Sequence, residues 1–120
     1  MSRDEPLGYI YIASPYTHPD PAVRQARYAA VAEYAATLIR SRIAVYSPIV
    51  HSHHLMDSGL PDDHEFWMRQ CLPLVRASSW LHVLQIDGWR ESRGVTAEIA
   101  FAENLRIPVR YYLPVTGDAK

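Results

Sequence analysis

Trp80-Leu81-His82-Val83-Leu84-Gln85-Ile86, running into Asp87-Gly88-Trp89-Arg90-Glu91-Ser92-Arg93-Gly94-Val95-Thr96-Ala97-Glu98-Ile99, decides the fold. The first seven residues are mostly apolar, too short for a typical helix and rich in strand formers, as expected of a strand covered on both faces. A polar loop follows. Val95, Ile99, Ala102 and Leu105 then recur at helical spacing, and Ile107-Pro108-Val109 reads as a further strand. The loop holding Ser92 and Gly94 therefore leaves the carboxyl end of a strand and opens a helix. In open α/β sheets that edge is where ligands bind. Glu98 borders the apolar stripe of the helix, where a carboxylate is costly to desolvate unless it is paired or used. A plainer reading puts Glu98 in the first helical turn, held by free backbone N–H groups and the helix dipole.

Upstream, Gly8 to Ser14 reads as the first strand, with Ser14-Pro15-Tyr16-Thr17-His18-Pro19-Asp20 as the loop leaving it. Asp20 before Pro21 is a helix-start signal, because proline at the first helical position loses no hydrogen bond and presets φ. Val23, Ala26, Ala30, Tyr34 and Leu38 give that helix an apolar face ending near Ser41. Ile43 to Tyr46 is a second strand ended by Pro48, and the set makes a βαβ unit. His51, His53, His54 and Asp57 follow on what reads as extended chain. There, adjacent histidines point apart, and no helical His-x-x-x-His pair exists. These histidines are better placed to line the ligand edge than to bind metal, although a metal hydrolase using His51, His53 and Asp57 is an alternative. Ser58 to Pro61 is a turn, and Asp62 is the expected cap of a helix through Trp67, Met68 and Cys71, kinked or restarted at Pro73. Trp67 and Trp80 read as core residues, Trp89 as a ligand or subunit contact, and His18 and His82 as surface or ordinary packing residues.

The pattern Gly88-Trp89-x-x-Ser92-x-Gly94-Val95-x-x-Glu98-Ile99-x-x-Ala102, with Ile10-Tyr11-Ile12-Ala13-Ser14-Pro15 near the start, resembles the nucleoside 2-deoxyribosyltransferase superfamily. That group includes 2'-deoxynucleoside 5'-phosphate N-hydrolases and small relatives of unassigned function. The similarity runs from about Tyr9 to Val109. It implies that Glu98 is the carboxylate nucleophile attacking the anomeric carbon of a deoxyribonucleoside. Tyr11 would then be the tyrosine that orients it, where an ordinary strand aromatic is otherwise expected. Ser92 falls where the transferases tend to carry an acid and the monophosphate hydrolases a serine that contacts the 5'-phosphate. This implies a nucleotide substrate, although Ser92 serves equally as a helix cap. Cys71 stands where the similar enzymes usually have an aspartate that interacts with base or sugar, and a neutral thiol is a poor substitute. Asp62, Asp63 and Glu65 lie upstream on the same segment.

The chain of 120 residues, 48% apolar, suits one domain over residues 1–120 with one core. A net charge of −1 and a pI near 6.6 offer no basic stripe for a nucleic-acid polymer. No run approaches the roughly 20 apolar residues of a membrane span. The first six residues carry no apolar signal region, and the single cysteine cannot form an internal disulfide, which implies a cytoplasmic protein. The expectation is a single Rossmann- or flavodoxin-like three-layer α/β domain with about four mostly parallel strands ordered 2-1-3-4. Its expected activity is cleavage or exchange of the N-glycosidic bond of a (deoxy)nucleoside or its 5'-monophosphate. Glu98 and Tyr11 would be catalytic; Ser14, Ser92, Gly94, Trp89, His51 and His53 would contact substrate, with no metal and no cofactor. A binding or sensing module that lost the chemistry is the alternative that Cys71 supports. The apolar segment Tyr111 to Val115 suggests a homodimer or higher homo-oligomer.

Overall fold

Four short parallel strands carry the molecule, β1 (Ile10–Ala13), β2 (Val45–Tyr46), β3 (Trp80–Leu84) and β4 (Val109–Tyr112), in the order β2-β1-β3-β4. The computed structural model describes residues 8–114. Helix α1 (Pro21–Arg40) joins β1 to β2, and α4 (Arg93–Asn104) joins β3 to β4. Between β2 and β3 lie a short helix α2 (Pro48–Ser52), a 3-10 segment (His53–Ser58) and α3 (His64–Arg76). This is the α/β three-layer fold expected, with the strand order expected.

Strand alternation divides the core in two. Tyr11, Ala13, Leu81 and Val83 face one way and pack with Cys71 and Val75 of α3 and with Val95 and Ala102 of α4. Ile10, Ile12 and Leu84 face the other way, against Val31, Tyr34 and Ala35 of α1. From β1 the chain moves outward to β2, then crosses back to β3 on the other side of β1. The carboxyl ends of β1 and β3 therefore border a topological switch point, where successive loops part and leave a crevice.

Several local expectations are corrected. The stretch after β2 is helical rather than extended. Ser47 caps α2 through its hydroxyl, which accepts from the Val50 N–H at 3.1 Å, and Pro48 begins the helix instead of merely ending the strand. Helix α3 is capped by Asp63, which accepts from Phe66, rather than by Asp62. It continues through Pro73 to Arg76 without a restart, losing the one backbone hydrogen bond that the proline cannot donate to Arg69. Trp80 is no core residue: at the start of β3 it lies 44% exposed. Of the apolar segment Tyr111 to Val115, Tyr111 and Tyr112 are the last residues of β4, and Val115 lies outside the described residues. Finally, α4 begins at Arg93, so Glu98 is its sixth residue, past the turn whose N–H groups lack helical partners.

Candidate functional site

Glu98 is 4% exposed and points from α4 onto β1, where the Tyr11 hydroxyl donates to its Oε2 at 2.6 Å. The pair joins positions far apart in the chain, and both members are shut from solvent. Burial pushes the Glu98 carboxyl up to about 7, against the opposing help of the Tyr11 hydroxyl and the Cys71 thiol. Burial, and then the charge of Glu98, holds the Tyr11 hydroxyl well above its ordinary value, so it stays a donor. Cys71, from α3, lies against the same pair. Burial and then Glu98 push its thiol up to about 11, which keeps it protonated near neutral pH.

Beside this buried group opens a cavity of about 220 Å³. Tyr46 and Cys71 line its wall, and behind it Tyr46 meets the Tyr11 ring and Cys71 meets Glu98. The rest includes His51 and Leu55 after β2, with Phe66, Trp67 and Gln70 from α3. The Tyr11 and Tyr46 rings are 5.8 Å apart, and the Tyr46 and His51 rings 5.7 Å. The Trp67 indole N–H donates to the Pro61 carbonyl at 2.8 Å, which fixes that wall. Among the described residues no Asp, Glu, Lys or Arg lines the cavity, and Asp62, Asp63 and Glu65 stand outside it. It suits a small, flat, uncharged group held by ring faces and an amide.

At the switch point, Ser14 is buried at the end of β1, and its Oγ has no hydrogen-bond partner among the described residues. An orphaned buried hydroxyl costs about 1–3 kcal/mol, which a ligand contact would recover. Ser92 accepts from the Val95 N–H at 3.1 Å and caps α4. Gly94 follows two residues later, and a Cβ there would meet Met68 at 3.6 Å, an ordinary contact, so folding alone does not require glycine. Trp89, in a 3-10 turn (Trp89–Glu91), packs on Tyr111 at 5.7 Å between ring centroids. Arg27 ties the two loops together, donating to the carbonyls of Thr17 at 2.9 Å and Asp87 at 3.2 Å.

The histidines part company. His53 uses both ring nitrogens, Nδ1 with the Tyr16 hydroxyl at 2.8 Å and Nε2 with Gln25 Oε1 at 3.2 Å, while Tyr28 stacks on its face at 4.1 Å. It pins the loop after β1 to the segment after β2. His51 stands in the cavity wall with Nδ1 near Ser52 Oγ at 3.0 Å. Among the described residues no three His, Cys, Asp or Glu side chains are arranged to hold a metal, so His51, His53 and Asp57 do not converge. His82 is buried on β3 beneath α1, bonded to the Tyr34 hydroxyl at 2.9 Å. Sequence reasoning missed Tyr46, Gln70 and Arg27. Only the parallel register that sets Tyr46 beside Tyr11 could have pointed to the first of them.

Residues 8–113 match the model of a protein family described as a domain of unknown function, DUF1937. The chain belongs to this family. The matched stretch of this DUF1937 member takes in every strand and helix that builds the site, from Tyr11 to Tyr112. A search of curated proteins found no match. Among the described residues no helix is long and apolar enough to cross a membrane.

Proposed function

We propose that this protein cleaves or exchanges the N-glycosidic bond of a (deoxy)nucleoside or its 5'-monophosphate, with Glu98 as nucleophile. The observation that carries the reading is the buried Tyr11–Glu98 hydrogen bond beside a neutral, aromatic-walled cavity. Tyr11 engages Oε2 and Cys71 lies against the same carboxylate, which would attack through Oε1. A carboxylate whose affinity for protons is raised by burial is a better nucleophile than one in water. It forms a glycosyl ester, splitting one displacement into two steps with oxocarbenium-like transition states. Water then completes hydrolysis, or a second base completes transfer. The resemblance to nucleoside 2-deoxyribosyltransferases supports the same roles. Ser14, Ser92 and Gly94 would take the sugar-phosphate end, where the amino-terminus of α4 favours an anion. The reading needs no metal or cofactor. It pictures a cytoplasmic homodimer or higher homo-oligomer acting on a small molecule, not on a nucleic-acid polymer or a membrane.

One observation favours a second reading: the neutral Cys71 thiol beside Glu98 leaves the departing base without a carboxylic acid at that position. A nucleotide-binding module without turnover would have this feature. A chromatographic screen of nucleosides and monophosphates, with and without free acceptor base, separates the two. Turnover should fall at least about a thousandfold in Glu98→Ala while ligand binding persists. Tyr11→Phe, which loses one hydrogen bond to a charged group, should slow the reaction by roughly 10- to 100-fold. Ligand-induced thermal stabilisation without product would decide for the binding module, and an active Glu98→Ala would end the nucleophile assignment.

A further inference from the structure

A second catalytic group follows if the glycosidic reading is right, and the inference rests on that reading. When the C–N bond breaks, its electron pair goes to the base, and a base that must leave as an anion leaves slowly unless an acid protonates it. Cys71 is a weak donor, and burial holds the Tyr46 hydroxyl above its ordinary value as well. With no Asp, Glu, Lys or Arg in the cavity wall, the remaining titratable side chain there is His51. Its Nδ1 lies by Ser52 Oγ, and its Nε2 has no partner among the described residues. His53, by contrast, has both nitrogens committed. Consecutive ring contacts run from His51 to Tyr46 and from Tyr46 to Tyr11, which holds Glu98. In the pose this reading requires, a base seated along that wall has the imidazole at one side and its sugar directed toward Glu98, which lies behind Tyr46 and Cys71.

We propose that His51 is the general acid of this site, donating the Nε2 proton to the departing base as Glu98 attacks the anomeric carbon. In the first step the Glu98 Oε1–carbon bond forms and the carbon–nitrogen bond breaks. The freed electron pair on the base takes the His51 proton, leaving a neutral imidazole and a neutral base. In the second step a water oxygen bonds to the anomeric carbon, Glu98 departs as carboxylate, and the water proton returns to His51. An imidazole suits both halves because the same ring nitrogen can give a proton as a donor and take one back as an acceptor without moving. The titratable neighbours facing it from β2, α3 and α4 are Tyr46, Cys71 and, behind them, Glu98.

The test compares a purine 2'-deoxynucleoside 5'-monophosphate with its N7-methylated counterpart, whose base is already cationic and leaves neutral without a proton. With the full chain, His51→Gln should lower kcat/KM on the ordinary substrate by about 100-fold or more and change it by no more than about threefold on the methylated one. Wild type alone gives a second readout: activity should fall at alkaline pH with the ordinary substrate and not with the methylated one. Equal losses on both substrates by a folded His51→Gln, no loss on either, or the same alkaline fall for both in wild type would overturn the assignment. A wild type that cleaves no nucleoside or monophosphate in the chromatographic screen, these two included, would remove the glycosidic reading, and this inference with it.

Discussion

Glu98 is the residue on which stability and chemistry pull in opposite directions. A carboxyl buried among Tyr11, Cys71 and the apolar wall of β1 and β3 is at ease protonated and strained as an anion. In the folded chain it keeps its proton up to about pH 7, whereas its ordinary value is 4.5. Between those values the folded state binds the more protons. The contribution is therefore fully present below about pH 4.5, is lost as the pH rises through 7, and stays lost above. Glu98→Gln keeps an acceptor for Tyr11 and removes the charge. It should match wild type near pH 4 and exceed it by roughly 3 kcal/mol near pH 8. Urea melts at the two pH values check this, and a stability difference that does not change with pH would refute it. Activity should run the other way, rising through pH 7 as the nucleophile ionises.

At the scale of elements, the entry to α4 carries two possible duties on one side chain. Ser92 Oγ caps the helix, and it stands where an anion would meet the helix amino-terminus. Ser92→Ala would confuse the duties, because losing a cap alone costs about 0.5–2 kcal/mol. Ser92→Asp separates them, since aspartate caps as well as serine and repels a phosphate. The melting temperature should stay within about 2 °C, while the ratio of kcat/KM for monophosphate over nucleoside falls by roughly 10- to 100-fold. An unchanged ratio returns Ser92 to capping alone. The far ends of α1 and α4 share one design that carries no glycine signal. Arg42 and Arg106 adopt left-handed backbone at φ 66° and 63°. Ile43 and Ile107 then bond back to the carbonyls of Leu38 and Ala102, at 3.1 and 2.9 Å. This is the Schellman arrangement, in which the orphan carbonyls and the apolar residue after the turn outweigh the strain of a non-glycine residue.

For the whole molecule, the strand order sets what is enclosed and what is left open. Helix α1 packs on the β1 side of one sheet face, so Trp80 at the start of β3 and Tyr112 on β4 remain partly uncovered there. β4 is an edge strand, with Tyr111 and Tyr112 about two-fifths exposed and Leu113 at 74%. An edge with aromatic side chains on both faces is a surface that single copies rarely leave open. Light scattering at assay concentration should give a dimer or larger, and Leu113→Lys should shift the population toward monomer. A monodisperse wild-type monomer would refute this.

Much of this was legible in the chain because it depends on residues close together. The apolar run from Trp80, the stripe from Val95 and the Asp20-Pro21 start are local patterns, and local sterics and periodicity determined these three elements, β3, α4 and α1. Local ambiguity accounts for the errors: Pro48 both ends a strand and begins a helix, and only the Ser47 cap chooses between them. Tertiary structure alone decided the rest. That the Tyr11–Glu98 pair expected from the resemblance is shut from solvent, that Tyr46 and Cys71 wall a cavity beside it, and that His53 is spent on Tyr16 and Gln25 are products of sheet register and helix docking. A side chain's spacing gives the face it occupies, but its proton affinity and its partners depend on what the other layers of the fold bring against it.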